Sequence, residues 1–573
     1  MKRKTVFPCT LLKGVSQEME NTQKIAELLF PHIQKTPADF EAMYPPRDLP
    51  EGARVTRFAP SPTGYLHVGG LFGALTDYMV ARLSNGVVFL RIEDTDKKRE
   101  IEDGVSAILE GFHTFGIAFD EGVTGFGTES GAYGPYTQSK RVEIYQTVAK
   151  DLVRRGLAYP CFCTADELSE LREKQEKDGA LIRGYFGKYA KCRHLTDAEI
   201  EENIKNGKPY VLRFRADGDE NKRITLDDMV RGKIEMPENI IDEVLLKSDG
   251  VPTYHFAHVC DDHFMRTTHV IRGEEWIPST AKHIALFRAC GFRVPKYAHT
   301  PQVLKIDEQD GTKRKLSKRK DPEAAVSYFA ENGYPKEALL EYLMTLLNSN
   351  FEDWRRANPD ADIFTFPFNL KKMSASGALF DMAKLRDISK TVISKMTAEE
   401  VYTQTLAWAA EYDTAYAEIL KENREKAVGM LSLDRGGKKP RKDIAAFSEV
   451  KGYFSYMYPE LYEKEYTLPE HITKADAAKI LKDYAAVYSA ADDKDAWFEK
   501  IKALCAPNGF TPNVKEYKAN PDAFKGHVGD VSTVIRIAVT GRQNTPDLCT
   551  ILQLLGEDTV QARLADAAAF YQA

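Results

Sequence analysis

Between Val55 and Ile92 the chain passes through an apolar stretch, a proline- and glycine-marked turn, a helix-forming segment and a second apolar stretch. Few folds accept that order. Val55-Thr56-Arg57-Phe58-Ala59 reads as a short strand and Pro60-Ser61-Pro62-Thr63-Gly64 as a turn. Leu66 to Leu83 reads as a helix, with Leu71, Leu75, Tyr78 and Met79 on one face. Asn85-Gly86 ends it, and Val87 to Ile92 is the near-continuous apolar run of a strand buried on both faces of a parallel sheet. Strand, helix and strand in so short a span make a βαβ unit. A second α/β half is expected from Tyr254 to Leu304. The stretch between, about Thr137 to Pro252, carries a charged helix and a cysteine cluster and reads as an insertion between two halves of one sheet.

Beyond Asp321 the pattern is almost wholly helical. Thr397-Ala398-Glu399-Glu400 is a capping box, and Thr545-Pro546-Asp547 is expected to open a helix with proline at its first position and Gly556 near its end. A chain of 573 residues exceeds what one core holds. With 43% hydrophobic and 29% charged residues it is ordinary globular protein. No apolar run is long enough for a membrane-spanning helix. Eight cysteines in this length do not make a disulfide framework, so a reduced, cytoplasmic setting is expected. The net charge of −6 excludes a protein basic all over, so any nucleic acid must meet a local basic patch.

Two segments carry the chemistry. His67-Val68-Gly69-Gly70 sits where the first strand gives way to the first helix, the end of an open α/β sheet at which ligands bind. Its glycines let a nucleotide approach the backbone, and His67 near a helix N-terminus suits a phosphate. Far downstream, Lys315-Leu316-Ser317-Lys318-Arg319 lies in a basic loop after Asp310-Gly311, suited to clamp a polyphosphate. There is no Walker A loop and no GxGxxG fingerprint.

The two segments together resemble the signatures of the class I aminoacyl-tRNA synthetases. Ala59-Pro-Ser-Pro-Thr-Gly64, Arg91-Ile-Glu-Asp-Thr-Asp96, Leu246-Lys-Ser-Asp-Gly250 and Val270-Ile-Arg-Gly-Glu-Glu-Trp276 are similar to the bacterial glutamyl-tRNA synthetases over roughly residues 54–573. The glutaminyl enzymes usually end the first signature in a second His, where this chain has Gly70.

The resemblance implies an α/β fold with a Rossmann-like catalytic domain built on a parallel sheet. Its first half would cover 54–136 and its second 254–305, around an inserted acceptor-binding domain at 137–253. An N-terminal extension (1–53) precedes them. The clamp loop and a stem-contact domain (306–385) and an all-α anticodon-binding region (386–573) follow.

The implied activity is ligation of glutamate to tRNA(Glu) with ATP and Mg²⁺, by a monomer with no membrane association. His67, Lys315 and Lys318 would act on the phosphates, with Gly69 and Gly70 at the nucleotide. Arg57, Ala59, Ser61, Glu93, Tyr254, His258, Arg272 and Trp276 would form the glutamate pocket. From the residues themselves, Arg57 can pair with a carboxylate and Glu93 can accept from an ammonium. His258 stands where many relatives have Asn, and Phe72-Gly73 where many have Arg-Thr.

Cys161-Phe-Cys163 and Cys192-Arg-His194 offer three thiolates and an imidazole, a sufficient set for a structural zinc. Lys438, Lys439, Arg441 and Lys442, in a basic loop within the helical region, are candidates for the anticodon arm. Three alternatives stay open: a synthetase that also charges tRNA(Gln), a relative that glutamylates a modified tRNA base, and a non-catalytic RNA-binding protein.

Overall fold

In the computed structural model, β1 (Val55–Phe58) and β2 (Val87–Leu90) pair in parallel, with Val55 opposite Val87, and α1 (Val68–Arg82) joins them. Residues 21–573 are described, apart from 63, 97–103, 126, 318, 376 and 438. The helix α1 is buried on nearly every side, which its run of Leu, Ala, Met and Val permits. The turn after it runs through Asn85 (φ 51°) to Gly86, whose place only glycine can take: a Cβ there would lie 1.9 Å from the Arg54 carbonyl oxygen. β3 (Glu121–Gly125) adds in parallel to β2, and β4 (Thr128–Ser130) closes that edge antiparallel.

The chain then leaves the sheet. β5 (Ala158–Cys161), β6 (Val211–Phe214) and β9 (Val244–Leu246) form an antiparallel sheet, and β7 (Arg223–Asp228) pairs with β8 (Gly232–Pro237) as a hairpin. The charged helix of the insertion is Ala165–Lys177, opened by a Thr164/Glu167 capping box, with only Gln175 buried. After this insertion come α2 (Tyr254–Phe264), β10 (His269–Gly273), α3 (Thr280–Cys290) and β11 (Lys296–Thr300), with β10 and β11 parallel. The Thr268 N–H donates to the Val55 carbonyl (3.0 Å), and the Val55 N–H to the Thr268 hydroxyl (2.8 Å). These bonds lay the two-stranded sheet β10–β11 beside the edge of the four-stranded sheet at β1, and the order of the strands reverses between β1 and β10. That reversal is where open α/β sheets bind ligands. β12 (Val303–Ile306), β13 (Lys313–Lys315) and β14 (Ala378–Leu379) form a small mixed sheet that presents Lys315. β14 is an exception to the helical reading beyond Asp321.

The chain divides into two compact units. One takes in residues up to Ser327 together with Leu343–Asp381; the other holds Tyr328–Tyr342 and Met382–Ala573. The second is helical around one large core, and its Thr397/Glu400 capping box forms as expected. Pro546 differs from expectation. Asp547 is the N-cap of the helix Leu548–Leu555, its carboxylate accepting from the Thr550 N–H, so the proline precedes the cap instead of opening the first turn. Among the described residues no helix is long and apolar enough to cross a membrane.

Candidate active site

The carboxyl ends of β1, β2, β10 and β11 border a cleft of about 1260 Å³. Arg57, Ala59, Ser61, His67, Gly69, Glu93, Tyr254, Arg272, Trp276 and Lys315 all line it. His67 caps α1: its Nδ1 accepts from the Gly70 N–H at 2.9 Å, so the neutral ring carries its proton on Nε2. A Cβ on Gly69 would stand 3.1 Å from that ring, so glycine keeps the helix entrance open. Lys315, on β13, is exposed, with its ammonium 3.6 Å from the Glu275 carboxylate. Lys318 lies outside the described residues.

Two expected residues stand behind the lining. Gly70 is buried in the first turn of α1, donating to His67. His258 is fully buried, stacked behind Tyr254 with ring planes 7° apart, its Nδ1 2.7 Å from an Asp262 oxygen. On α2 its ring meets Tyr254, Asp262, His283 and Phe287, and it is not among the residues that line the cleft. Tyr254 and Trp276 close one wall with ring centroids 4.3 Å apart.

Beneath the cleft lies an ionic layer that the motifs did not announce. Asp262 is fully buried and receives Arg91 Nη1 at 2.8 Å and Arg57 Nε at 3.2 Å. Burial alone would raise its pKa, but the two guanidinium groups hold it well below the usual carboxylate range. Its neighbour Asp261 receives Arg141 Nε (2.6 Å), the Gln138 amide (2.9 Å) and the Tyr145 hydroxyl (2.9 Å). Arg91 also donates to Glu93 at 3.0 Å. Burial raises the Glu93 pKa, and Arg91 opposes that. The signal was present in the sequence: Asp261-Asp262 interrupts an apolar helix and Arg91 an apolar strand, and buried charges require partners.

A family model described as the catalytic domain of class I tRNA synthetases (E and Q) matches residues 54–387, more than half the chain. The chain belongs to this synthetase family. An anticodon-binding-domain model matches residues 515–568 of the synthetase, within its helical unit. The glutamate–tRNA ligase of Acetivibrio thermocellus is 49% identical over 543 residues, covering 95% of this chain and 99% of that one. That of Clostridium perfringens (strain 13) is 47% identical, covering 95% and 100%. A crystal structure of a glutamate tRNA ligase from Elizabethkingia meningosepticum, in complex with its amino acid, superposes with a TM-score of 0.73. It has 27% sequence identity and covers 91% of this chain and 99% of that one.

The synthetase's insertion brings Cys161, Cys163 and Cys192 together, their sulfurs all within 4.8 Å of one another. His194 does not join them: its Nε2 faces the Gly187 carbonyl at 3.4 Å. The fourth donor against the cluster is Tyr185, whose hydroxyl lies 3.3 Å from the Cys163 sulfur and accepts from the Cys192 N–H at 3.0 Å. The short helical turn Lys191–His194 aims the two ends of its Cys-x-His pair in different directions, which spacing alone does not reveal.

The basic loop of the helical unit is also partly tied down. Arg435 caps carbonyls of Leu431, Ile393 and Met396. Arg441 pairs with Asp443 and the Tyr453 hydroxyl. Lys439 and Lys442 are exposed, Lys442 reaching the Thr391 hydroxyl at 3.1 Å; Lys438 lies outside the described residues.

Proposed function

We propose that this synthetase activates L-glutamate with MgATP and transfers it to the 3′-terminal adenosine of tRNA(Glu), as a cytoplasmic monomer. The observation that carries the reading is one cleft, at the point where strand order reverses, lined by two buried arginines, a buried glutamate and the His67/Lys315 pair. The glutamate α-carboxylate attacks the α-phosphorus and pyrophosphate leaves. A ribose hydroxyl of the tRNA then attacks the acyl carbon and AMP leaves. No protein nucleophile is required, so the residues act by positioning and charge.

Glu93, oriented by Arg91, accepts from the substrate ammonium. Arg272 meets the side-chain carboxylate, and Arg57, anchored on Asp262, lines the same wall with Ala59, Ser61, Tyr254 and Trp276. His67 donates from Nε2 to the phosphates, joined by Lys315 and, from the family signature, Lys318. Pyrophosphate exchange measured with and without tRNA tests the activation step; glutamate-dependent exchange that requires tRNA is expected. Separate pools of glutamate- and glutamine-accepting tRNA then define the acceptor. Absence of exchange and charging with every pool would leave an RNA-binding protein.

The insertion is proposed to hold one structural zinc. The three thiols are ligands of the kind structural zinc takes, and the Tyr185 hydroxyl beside them is available as a fourth, oxygen donor. Metal analysis should find one zinc per chain, lost in Cys192→Ser and kept in His194→Ala. Loss of zinc in His194→Ala would return the imidazole to the ligand set. Chelation should loosen the insertion before the catalytic sheet.

Lys439 and Lys442 are proposed to meet tRNA phosphates. Replacing both by alanine should lower the salt slope of tRNA binding by about 0.7–0.9 for each phosphate left without its lysine, with the KM for ATP unchanged. An unaltered slope would make the loop ordinary solvated surface.

A further inference from the structure

Arg272 is 8% exposed, and among the described residues none of its three nitrogens meets a carboxylate. Nε donates to His299 Nε2 (3.1 Å), Nη1 meets His283 Nδ1 (3.0 Å) and Nη2 donates to the Thr280 hydroxyl (2.8 Å). The guanidinium carbon sits 4.9 Å over the Tyr297 ring. An arginine has only donors, so each imidazole must present a bare nitrogen to it. That sets both tautomers. His299 keeps its proton on Nδ1 and donates to Asp228 at 2.7 Å. His283 keeps its proton on Nε2 and donates to His255 Nδ1 at 2.9 Å. The Thr280 hydroxyl passes its own proton to the Trp276 carbonyl at 3.1 Å. These bonds use three of the five guanidinium N–H groups, one on each nitrogen. One N–H remains on each terminal nitrogen, a pair that a carboxylate can span.

We infer that His283 is a positioning residue that sets glutamate specificity: a neutral acceptor that aims Arg272 into the cleft without neutralising it. The inference rests on the glutamate reading above. Arg57 shows the contrast, since its charge is already shared with Asp262. Had an acid stood at 283, Arg272 would carry its own counter-ion and a carboxylate substrate would gain little over a carboxamide. Had a cation stood there, the two would repel. A fully buried imidazole, kept neutral by burial and by its neighbours His258 and Arg272, avoids both. His283 does not line the cleft, so it acts through Arg272.

The test compares His283→Leu, which removes the acceptor, with His283→Asn, whose amide oxygen can take the place of Nδ1. Full-length enzyme is assayed with tRNA present, and thermal melting confirms folding. In His283→Leu the KM for glutamate should rise about 10- to 100-fold, the scale of one hydrogen bond to a charged group. The preference for glutamate over glutamine as competitor should fall with it, while kcat and the KM for ATP hold. His283→Asn should recover most of the loss. If His283→Leu does not fold, His283→Gln takes its place, since its amide group lies at the Nε2 position, where its NH2 can donate to His255, and leaves Arg272 without its acceptor. A folded acceptor-less variant with unchanged KM for glutamate overturns the inference. So does one whose ATP parameters fall in step, or an Asn variant no better than Leu. A wild-type enzyme that does not use glutamate at all overturns the glutamate reading instead, which separates the two failures.

Discussion

Asp262→Ala should be the most destabilising single change in the catalytic unit, at about 3–5 kcal/mol, because it strands buried positive charge. Arg57 and Arg91 are 5% and 0% exposed and share this carboxylate. Calorimetry of the full chain should show an earlier catalytic-unit transition, while the helical unit, with its own core, melts as before. Asp262→Asn should fall between the two, keeping shape and losing charge. The pH dependence follows from the sign of the shift. The folded-state pKa of Asp262 is depressed, so its stabilisation is complete above the unfolded value near about 3.9 and is lost as pH falls towards the folded one. The difference between wild type and variant should therefore shrink only in strong acid. Equal stability of Asp262→Ala at neutral pH would mean that the two arginines find other partners.

Arg272→Ala should weaken glutamate use by at least about 10²-fold, since a bound carboxylate would be left in a buried site without its cation. The loss should fall on the KM for glutamate and spare ATP affinity. His283, His299 and Thr280 are neutral, so removal of Arg272 strands no opposite charge and the fold should hold. Loss of ATP binding with glutamate unaffected would move Arg272 to the nucleotide side of the cleft.

The βαβ unit was legible in the sequence because its period changes and its Pro-Gly punctuation are local properties, and β1, α1 and β2 appear where those signals put them. The cleft wall was legible through the family signatures. The ionic layer was legible only in part: the apolar setting of Asp261, Asp262 and Arg91 signals buried charge, but which cations meet which acids is fixed only in the folded chain, where Arg57 and Arg91 reach Asp262 and Arg141 reaches Asp261. The same holds for the histidines around Arg272, which come from α2, α3 and β11 and meet only when the sheet is assembled. His194 entered the metal set through its residue type and the Cys-x-His pairing, whereas its ring faces the Gly187 carbonyl. Tyr185 carries no spacing signal, and its approach to the thiols depends on how the turn before Cys192 folds.

The seam between β1 and β10 joins residues 213 apart in sequence. In equilibrium terms that separation matters little, since closing a loop costs only logarithmically with its length. During synthesis it matters more. A ribosome adding about 5–20 residues per second needs roughly 10–40 s to pass from one strand to the other, and in that time β1 presents a bare backbone edge. An unpaired apolar strand edge is a template for pairing with another chain. The intervening insertion can form its own small sheets during this interval, which makes it a spacer that folds early. The nascent catalytic half depends on protection until Thr268 arrives, so substitutions that slow closure at this seam should lower soluble yield long before they lower the activity of whatever protein survives.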